Sequence, residues 1–164
     1  MKILGIIQAR MTSTRFPRKA AAPILGKPMT RWVVESCLRS KRVDEWVVAV
    51  PAGQFDQFQR LIAGTGATVS TSYNVSENDV LGRFAAVAKV HSADVVVRVT
   101  GDCPLIDPGL IDGCVERFQW YQRFQQDLDY LSTSHPERRV ASGFDVEVFP
   151  REALAHAYSE CADR

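Results

Sequence analysis

A run of twelve residues near the amino terminus, QARMTSTRFPRK at positions 8–19, concentrates side chains that bind anions. It contains three arginines, one lysine and three hydroxyl residues, and it follows directly after the apolar run ILGII. Guanidinium and ammonium groups neutralise phosphate oxygens, while hydroxyls and loop amides donate further hydrogen bonds to them. The segment therefore predicts a polyphosphate-binding loop. The alternative is a loop of solvated surface charges, which is the usual state of residues such as Arg15 and Lys19.

An acidic segment, TGDCPLID at positions 100–107, follows a second apolar run, VVVRV. Mg²⁺ keeps several waters when it binds, and it needs only one or two protein carboxylates besides phosphate oxygens. Asp102 is therefore a candidate ligand for a divalent cation opposite the basic loop. The alternative is a turn, since Gly-Asp before Pro is ordinary turn chemistry. Arg98, inside the apolar run, is expected to pair with a carboxylate rather than to bind a ligand.

Composition and missing motifs argue against several other classes. The formal net charge is +1, so no global field attracts nucleic acid or an anionic membrane. The sequence has no GxxxxGK[ST] and no GxGxxG after a strand, which excludes an ordinary P-loop and a dinucleotide fingerprint. Its four cysteines form no CxxC pair, which argues against zinc and favours reduced thiols in a cytoplasmic protein. No apolar run reaches the length of a membrane span, and MKILGII is not expected to be a signal peptide.

The chain alternates short apolar runs with segments of helical period. Continuous apolar runs at 3–7, 46–50 and 95–99 predict strands buried on both faces of a parallel sheet. A weaker strand is predicted at 68–70, and the alternating FDVEVF at 144–149 predicts an edge or mixed strand. The spacing of apolar side chains predicts helices at 29–38, 55–62, 80–90, 108–124 and 151–161.

This order of elements predicts an α/β fold, with residues 1–164 forming a single Rossmann-like domain. We expect three layers, α/β/α, around a mostly parallel sheet. In such sheets, ligands bind outside the carboxyl ends of the strands. The basic loop, the acidic segment and the polar segment SYNVSEND at 72–79 all follow predicted strands. We therefore expect them to meet in one crevice.

Five motifs, spread over residues 2 to about 160, then resemble one family. They are QARMxSTRxPxK, LGKPM, DVLxRF, RVTGDCPLIDP and GxDVEVF, and their order is that of the spore coat polysaccharide biosynthesis cytidylyltransferases. That family belongs to the superfamily of acylneuraminate and 3-deoxy-manno-octulosonate cytidylyltransferases. The resemblance implies a fold of the nucleotide-diphospho-sugar transferase type. It also implies Mg²⁺-dependent transfer of CMP from CTP to an acidic or modified sugar, with release of pyrophosphate, in surface polysaccharide biosynthesis.

The resemblance assigns residues to the nucleotide. The first motif is the family's triphosphate-binding loop, and the positions of this sequence that match it are Gln8, Ala9, Arg10, Ser13, Arg15 and Lys19. By a looser match, Ser76 and Arg83 lie on the segment near the base or the sugar of the nucleotide. The family also implies a homodimer. Its members continue for several dozen residues past the position of Arg164, so we expect this chain to lack their carboxyl-terminal tail.

The resemblance also assigns a metal site and a catalytic set. Asp102 falls on the metal-binding aspartate, while Asp145 and Glu147 fall where relatives carry a second acidic pair. Arg10, Lys19 and Asp102 would be the catalytic residues, because charge stabilisation and positioning do most of the work in phosphoryl-type transfer.

Two other functions remain open at this point. A UTP- or GTP-dependent sugar-1-phosphate nucleotidyltransferase usually carries a GxGTRxxP-type loop, whose glycines QARMTSTR lacks. A non-catalytic nucleotide-binding relative is favoured by Thr12, which stands where the family usually has glycine. Turnover separates a binding module from an enzyme, because the module would bind CTP and release no pyrophosphate.

Overall fold

The computed structural model describes residues 1–72, 76–124 and 128–161. Its strands are β1 (Ile3–Gln8), β2 (Pro23–Ile24), β3 (Lys27–Pro28), β4 (Glu45–Pro51), β5 (Thr68–Ser72), β6 (Val95–Thr100), β7 (Leu131–Ser132) and β8 (Val146–Pro150). Its helices are α1 (Met29–Cys37), α2 (Phe55–Ile62), α3 (Val80–Val90), α4 (Pro108–Phe124) and α5 (Arg151–Glu160), with single 3-10 turns at Lys19–Ala21 and Ala52–Gln54. Within these ranges, no helix has both the length and the apolar character needed to cross a membrane.

Six strands form one sheet in the order β5-β4-β1-β6-β8-β7. β1 pairs in parallel with β4 and β6, and β4 pairs in parallel with β5. β8 runs antiparallel to β6, and β7 runs antiparallel to β8. The strand predicted at 144–149 is therefore the mixed member of the sheet, and it begins at Val146. The carboxyl ends of the four parallel strands lie at one edge, where ligands are expected.

Helices cover both faces of the sheet, because its central strands are apolar on both sides. On one face, Ile3 and Ile7 of β1 belong to a core that also contains side chains of α1, α2 and α4. On the other face, Leu4 and Ile6 belong to a core that contains side chains of α3 and α5. This arrangement confirms the predicted α/β/α layers and the mostly parallel sheet.

The predicted helices agree with the observed ones to within one residue at each end. The apolar pattern does not reveal the hairpin of β2 and β3 or the strand β7, because strands of two residues carry no periodicity. The hairpin turns at Leu25 and Gly26, whose φ angles are 49° and 78°. Positive φ at both central residues is what a type I′ turn requires.

Candidate functional site

A cleft of about 230 Å³ opens at the carboxyl ends of β1 and β6. Adjacent parallel strands bring the segments that follow them side by side, so residues distant in sequence meet at this edge. The predicted site residues that line the cleft are Gln8, Ala9, Arg10, Ser13, Arg15, Lys19 and Asp102. The structure therefore brings the basic loop and Asp102 together. The remaining predicted residues, Ser76, Arg83, Asp145 and Glu147, are not part of its lining.

Buried contacts anchor the loop that follows β1. The backbone N–H of Met11 donates to Gln54 Oε1 at 2.6 Å, and both residues are buried. The N–H of Arg18 donates to the carbonyl of Met11 at 2.9 Å, which closes the loop. Beyond the loop, Thr30 Oγ1 donates to the carbonyl of Ala20 at 3.0 Å. The backbone is thus fixed at both ends of a segment whose Arg15 and Lys19 side chains line the cleft.

Gln54 is a residue of this site that the sequence analysis missed. It lies 43 residues from Met11 and ends the 3-10 turn after β4, outside all of the motifs quoted above. Its amide satisfies a backbone N–H that would otherwise be buried without a partner, which is costly. A polar residue at a strand's carboxyl end was the only sequence signal available, and many loop residues share that signal.

Gly101 allows the ends of β1 and β6 to approach each other. Its N–H donates to the carbonyl of Gln8 at 2.7 Å. A Cβ on Gly101 would lie 2.7 Å from that carbonyl oxygen and 2.9 Å from Ala9 Cβ, which is closer than real Cβ atoms come to their neighbours. Glycine at this position therefore lets Asp102 reach the basic loop.

Lys19 and Asp102 contact each other in the cleft. The Lys19 ammonium Nζ lies 2.5 Å from Asp102 Oδ2, and the two side chains are 30% and 44% exposed. Burial raises the pKa of the Asp102 carboxyl, but hydrogen bonds from Lys19 and Thr100 outweigh it, so the pKa lies below its ordinary value. Asp102 is therefore an ionised carboxylate at neutral pH.

Ser76 and Arg83 lie next to Arg10, outside the lining of the cleft. Arg10 Nη1 donates to Asn78 Oδ1 at 3.5 Å, and the Asn78 N–H donates to Ser76 Oγ at 3.3 Å. Arg83 is only 1% exposed, and its Nη1 donates to the carbonyl of Glu77 at 3.2 Å. In the described ranges, its Nε and Nη2 have no hydrogen-bond partner. Burial lowers the pKa of Arg83, and the nearby Arg10 charge lowers it further.

The three acidic residues that the resemblance assigns to a metal are each paired with a basic side chain. The pairs are Asp102 with Lys19, Asp145 with Arg138 at 2.7 Å, and Glu147 with Arg98. Across residues 1–72, 76–124 and 128–161, no group of three or more His, Cys, Asp or Glu side chains is close enough to hold a metal ion. The contact between Arg98 and Glu147 confirms the expectation that this arginine pairs with a carboxylate. Arg98 also lines the cleft, so the structure does not exclude it from contact with a ligand.

Asp102 nevertheless fits a divalent cation. It is ionised, partly exposed and surrounded by side chains suited to phosphate. Mg²⁺ bound with a nucleotide takes one or two protein carboxylates and completes its octahedron with phosphate oxygens and water. The donor set around Asp102 therefore suits a cation that arrives with a polyphosphate, rather than one held in a cage made of protein ligands alone.

Comparison with known sequences gives a consistent result. Residues 4–149 match the profile of the cytidylyltransferase family. An uncharacterised protein of Methanocaldococcus jannaschii is 34% identical over 165 aligned residues, which cover 100% of this chain and 63% of that protein. The 3-deoxy-manno-octulosonate cytidylyltransferase of Trichlorobacter lovleyi is 39% identical over 118 residues, which cover 72% of this chain and 45% of that enzyme. The chain thus spans less than two thirds of the length of either relative.

Solved structures share the fold. A cytidylyltransferase from Leptospira borgpetersenii superposes with a TM-score of 0.89 at 32% identity, over 99% of this chain and 66% of that one. CMP:2-keto-3-deoxy-manno-octonic acid synthetase, solved in complex with CTP, superposes with a TM-score of 0.75 over 100% of this chain and 80% of that one. At 21% identity the second likeness concerns the fold alone. The profile match covers most of the chain, and the chain therefore belongs to the cytidylyltransferase family.

Proposed function

We propose that the protein is a Mg²⁺-dependent cytidylyltransferase that transfers CMP from CTP to an acidic or modified sugar and releases pyrophosphate. The observation that carries the proposal is the composition of the cleft. Arg10, Ser13, Arg15 and Lys19 from one loop share it with Asp102, which is the one carboxylate of its lining among the described residues. Charges of both signs in one cleft suit a triphosphate together with its cation. The family supports cytidine as the base.

The reaction we propose is an in-line displacement. A hydroxyl oxygen of the sugar attacks the α-phosphorus of CTP and loses its proton to solvent. A new O–P bond forms, and the bond from the α-phosphorus to the bridging oxygen breaks, so that pyrophosphate leaves. Arg10, Arg15 and Lys19 would stabilise the charge that develops on the leaving group. Ser13 Oγ accepts a hydrogen bond from the Phe16 N–H at 3.3 Å, so its own proton can be donated to a phosphate oxygen.

Asp102 is the residue that we propose as the protein ligand of Mg²⁺, which would supply charge neutralisation at the phosphate oxygens. Asp145 and Glu147 would contribute only after releasing the arginines that they contact. We propose that Gln8 and Ala9 contact the nucleotide directly, since both line the cleft. Ser76 and Arg83 would act on the nucleotide from beside the cleft, through the segment that contacts Arg10.

The wider role is proposed from the relatives. The enzyme of T. lovleyi is named for 3-deoxy-manno-octulosonate, which is a sugar acid, and this name supports an acidic acceptor. We propose that the CMP-sugar serves surface polysaccharide biosynthesis, for example the synthesis of a spore coat polysaccharide. Cys37, Cys103 and Cys114 are buried and form no disulfide, which is consistent with the reducing cytoplasm. We further propose a homodimer, without nucleic acid or membrane partners.

The first test is nucleotide binding, followed by turnover. Thermal unfolding of the full chain would be measured with CTP, UTP, GTP and ATP, each with and without Mg²⁺. Ligand at about 100 times Kd adds roughly 2.7 kcal/mol, which raises Tm by on the order of 5–10 °C for a domain of this size. Of the four nucleotides, we expect only CTP to raise Tm, and we expect Lys19→Ala to lose this increase. Lys41→Ala, which removes an exposed lysine outside the cleft lining, should keep it.

Release of pyrophosphate would then be assayed with CTP and 3-deoxy-manno-octulosonate or other sugar acids. A thermal shift with UTP or GTP instead of CTP would favour the sugar-1-phosphate alternative. Binding of CTP without pyrophosphate release from any sugar acid would favour a non-catalytic nucleotide-binding relative. A loss of about 10²-fold in rate for Lys19→Ala is the size expected for removal of one charge-stabilising group.

A further inference from the structure

We propose that Lys19 blocks the cation site in the nucleotide-free protein and leaves it for the triphosphate, so that a divalent cation binds Asp102 only together with the nucleotide. The inference deepens the proposed function, on which it rests, because it concerns how the same cleft is loaded. It assigns Lys19 two positions: one on Asp102 and one on the phosphate oxygens.

The first argument is the contact itself. Lys19 Nζ lies 2.5 Å from Asp102 Oδ2, a distance at which the ammonium takes the place that a cation would need at that oxygen. A divalent cation arriving alone would have to displace a positive charge from Asp102 or bind beside it, and like charges a few ångströms apart repel.

The second argument is the state of the other acidic residues. Arg138 donates to Asp145, and Arg98 donates to Glu147, so these carboxylates are also already neutralised. No three acidic, histidine or cysteine side chains come together as a metal cluster in the ranges that the structure describes. Since Mg²⁺ gives up its waters reluctantly, one carboxylate that is already paired offers it little. The protein without nucleotide therefore presents no ready cation site at Asp102.

The third argument is that Lys19 can move while its backbone stays in place. Its N–H donates to the Phe16 carbonyl at 3.2 Å, and the next residue, Ala20, is buried in the core. The side chain, by contrast, is partly exposed and carries its charge on a flexible four-carbon stem. Lys19 lines the cleft together with Arg10, Ser13 and Arg15, so Nζ can turn from Asp102 to a bound phosphate without refolding of the loop.

The triphosphate provides the reason for that movement. It offers Lys19 several anionic oxygens in place of one carboxylate, and these charge-assisted contacts are strong. Once Lys19 has turned to the phosphates, the Asp102 carboxylate is free to accept the cation that accompanies the nucleotide. The charge on Asp102 is compensated before and after the exchange, by an ammonium first and by a divalent cation afterwards.

The test measures binding of Mn²⁺ by electron paramagnetic resonance, without any turnover. Mn²⁺ alone would be titrated into the full-chain wild type, Lys19→Met, Lys19→Arg and the double variant Lys19→Met/Asp102→Asn. We expect Lys19→Met to bind one Mn²⁺ at least about tenfold more tightly than the wild type, because the competing charge is gone. Lys19→Arg, which keeps the positive charge, should behave as the wild type does. The double variant should lose the gain, because the carboxylate is gone.

Equal Mn²⁺ affinity in the wild type and in Lys19→Met would overturn the proposal, and so would a gain that survives in the double variant. Circular dichroism and Tm would establish that each variant is folded, with Lys19→Gln as a second neutral replacement. In a further experiment, CTP is added without a sugar, and binding of Mn²⁺ is followed by water proton relaxation. The wild type should bind Mn²⁺ under these conditions. Failure of calorimetry to detect CTP binding would count against the proposed function, whereas the titration of Mn²⁺ alone would still decide the role of Lys19.

Discussion

Gly101 shows how closely the chemistry of the cleft depends on single residues. The positions of Lys19 and Asp102 are set by loops that start where β1 and β6 end, and Gly101 controls the spacing of those ends. Local sequence predicts the cations of the loop, since their number and spacing are visible directly. It does not predict the partner of each one, because Asp102 lies 83 residues from Lys19.

Gly101→Ala is expected to weaken CTP binding by about tenfold or more and to lower the free energy of unfolding by about 1–3 kcal/mol, as overpacking does. The added Cβ would overlap the Gln8 carbonyl and Ala9, and the strand ends would have to separate. Urea unfolding and calorimetry with CTP provide the measurements. Gly113→Ala in α4 is the matched control, because a Cβ there meets nothing within 4 Å and should stabilise the helix by about 0.5–1 kcal/mol. Wild-type stability and affinity in Gly101→Ala would contradict the argument.

At the scale of elements, α4 is joined to the end of α1 by the carboxylate of Asp112. Its Oδ1 accepts from Ser40 Oγ at 2.6 Å and from the backbone N–H groups of Lys41 and Arg42 at 3.0 and 3.1 Å. Burial raises the pKa of Asp112, but these hydrogen bonds outweigh it and hold the pKa below its ordinary value of 3.8. Because the pKa is lowered in the folded protein, the ionised carboxylate stabilises the fold at any pH above the ordinary pKa. This stabilisation is lost as the pH falls through the lowered pKa of the folded state.

Asp112→Asn is therefore expected to lower the free energy of unfolding by about 1–2 kcal/mol near neutral pH, as the loss of hydrogen bonds to a charged group does. The difference from the wild type should shrink as the pH falls below the ordinary pKa of the carboxyl. Urea unfolding at about pH 7 and about pH 3 measures the difference in free energy of unfolding between the variant and the wild type at each pH. Glu116→Gln on the same helix is the control, because its contact with Arg42 is half exposed and contributes little. A difference that stays constant with pH would show that the charge of Asp112 is not responsible.

The elements themselves were largely predictable. The helices follow from apolar side chains at helical spacing, and β1, β4 and β6 follow from continuous apolar runs. The hairpin of β2 and β3 was not predictable in this way. Its turn depends on positive φ at Leu25, which is a conformation that leucine rarely adopts and that the sequence does not indicate.

At the scale of the whole molecule, the order of the strands places β1 at the centre. It is paired on both sides, by β4 and β6, and most of its side chains are fully buried. β7 is an edge strand of two residues whose side chains are only half-buried. The cleft is therefore attached to the most protected part of the sheet, which keeps the backbone of the phosphate loop in a fixed position.

Amide hydrogen exchange of the native protein should follow that order. We expect the amides of β1 to exchange only through global unfolding, and those of β7 to exchange at least about 100-fold faster through local opening. Exchange would be followed by NMR or mass spectrometry in the absence of ligand. Equal protection of the two strands would indicate that the sheet opens as one unit. CTP should further slow exchange in the loop after β1 if that loop binds the triphosphate.

The sequence by itself determined the α/β class, the bounds of the helices and the loop that carries the cations, because each depends on the local spacing of apolar or charged side chains. Only the tertiary structure decided the partners: Lys19 with Asp102, Arg98 with Glu147, and Gln54 with the backbone of Met11. These contacts join strands and loops that are distant in the chain. They depend on strand order and register, which are set by packing of the whole sheet and which no local pattern encodes.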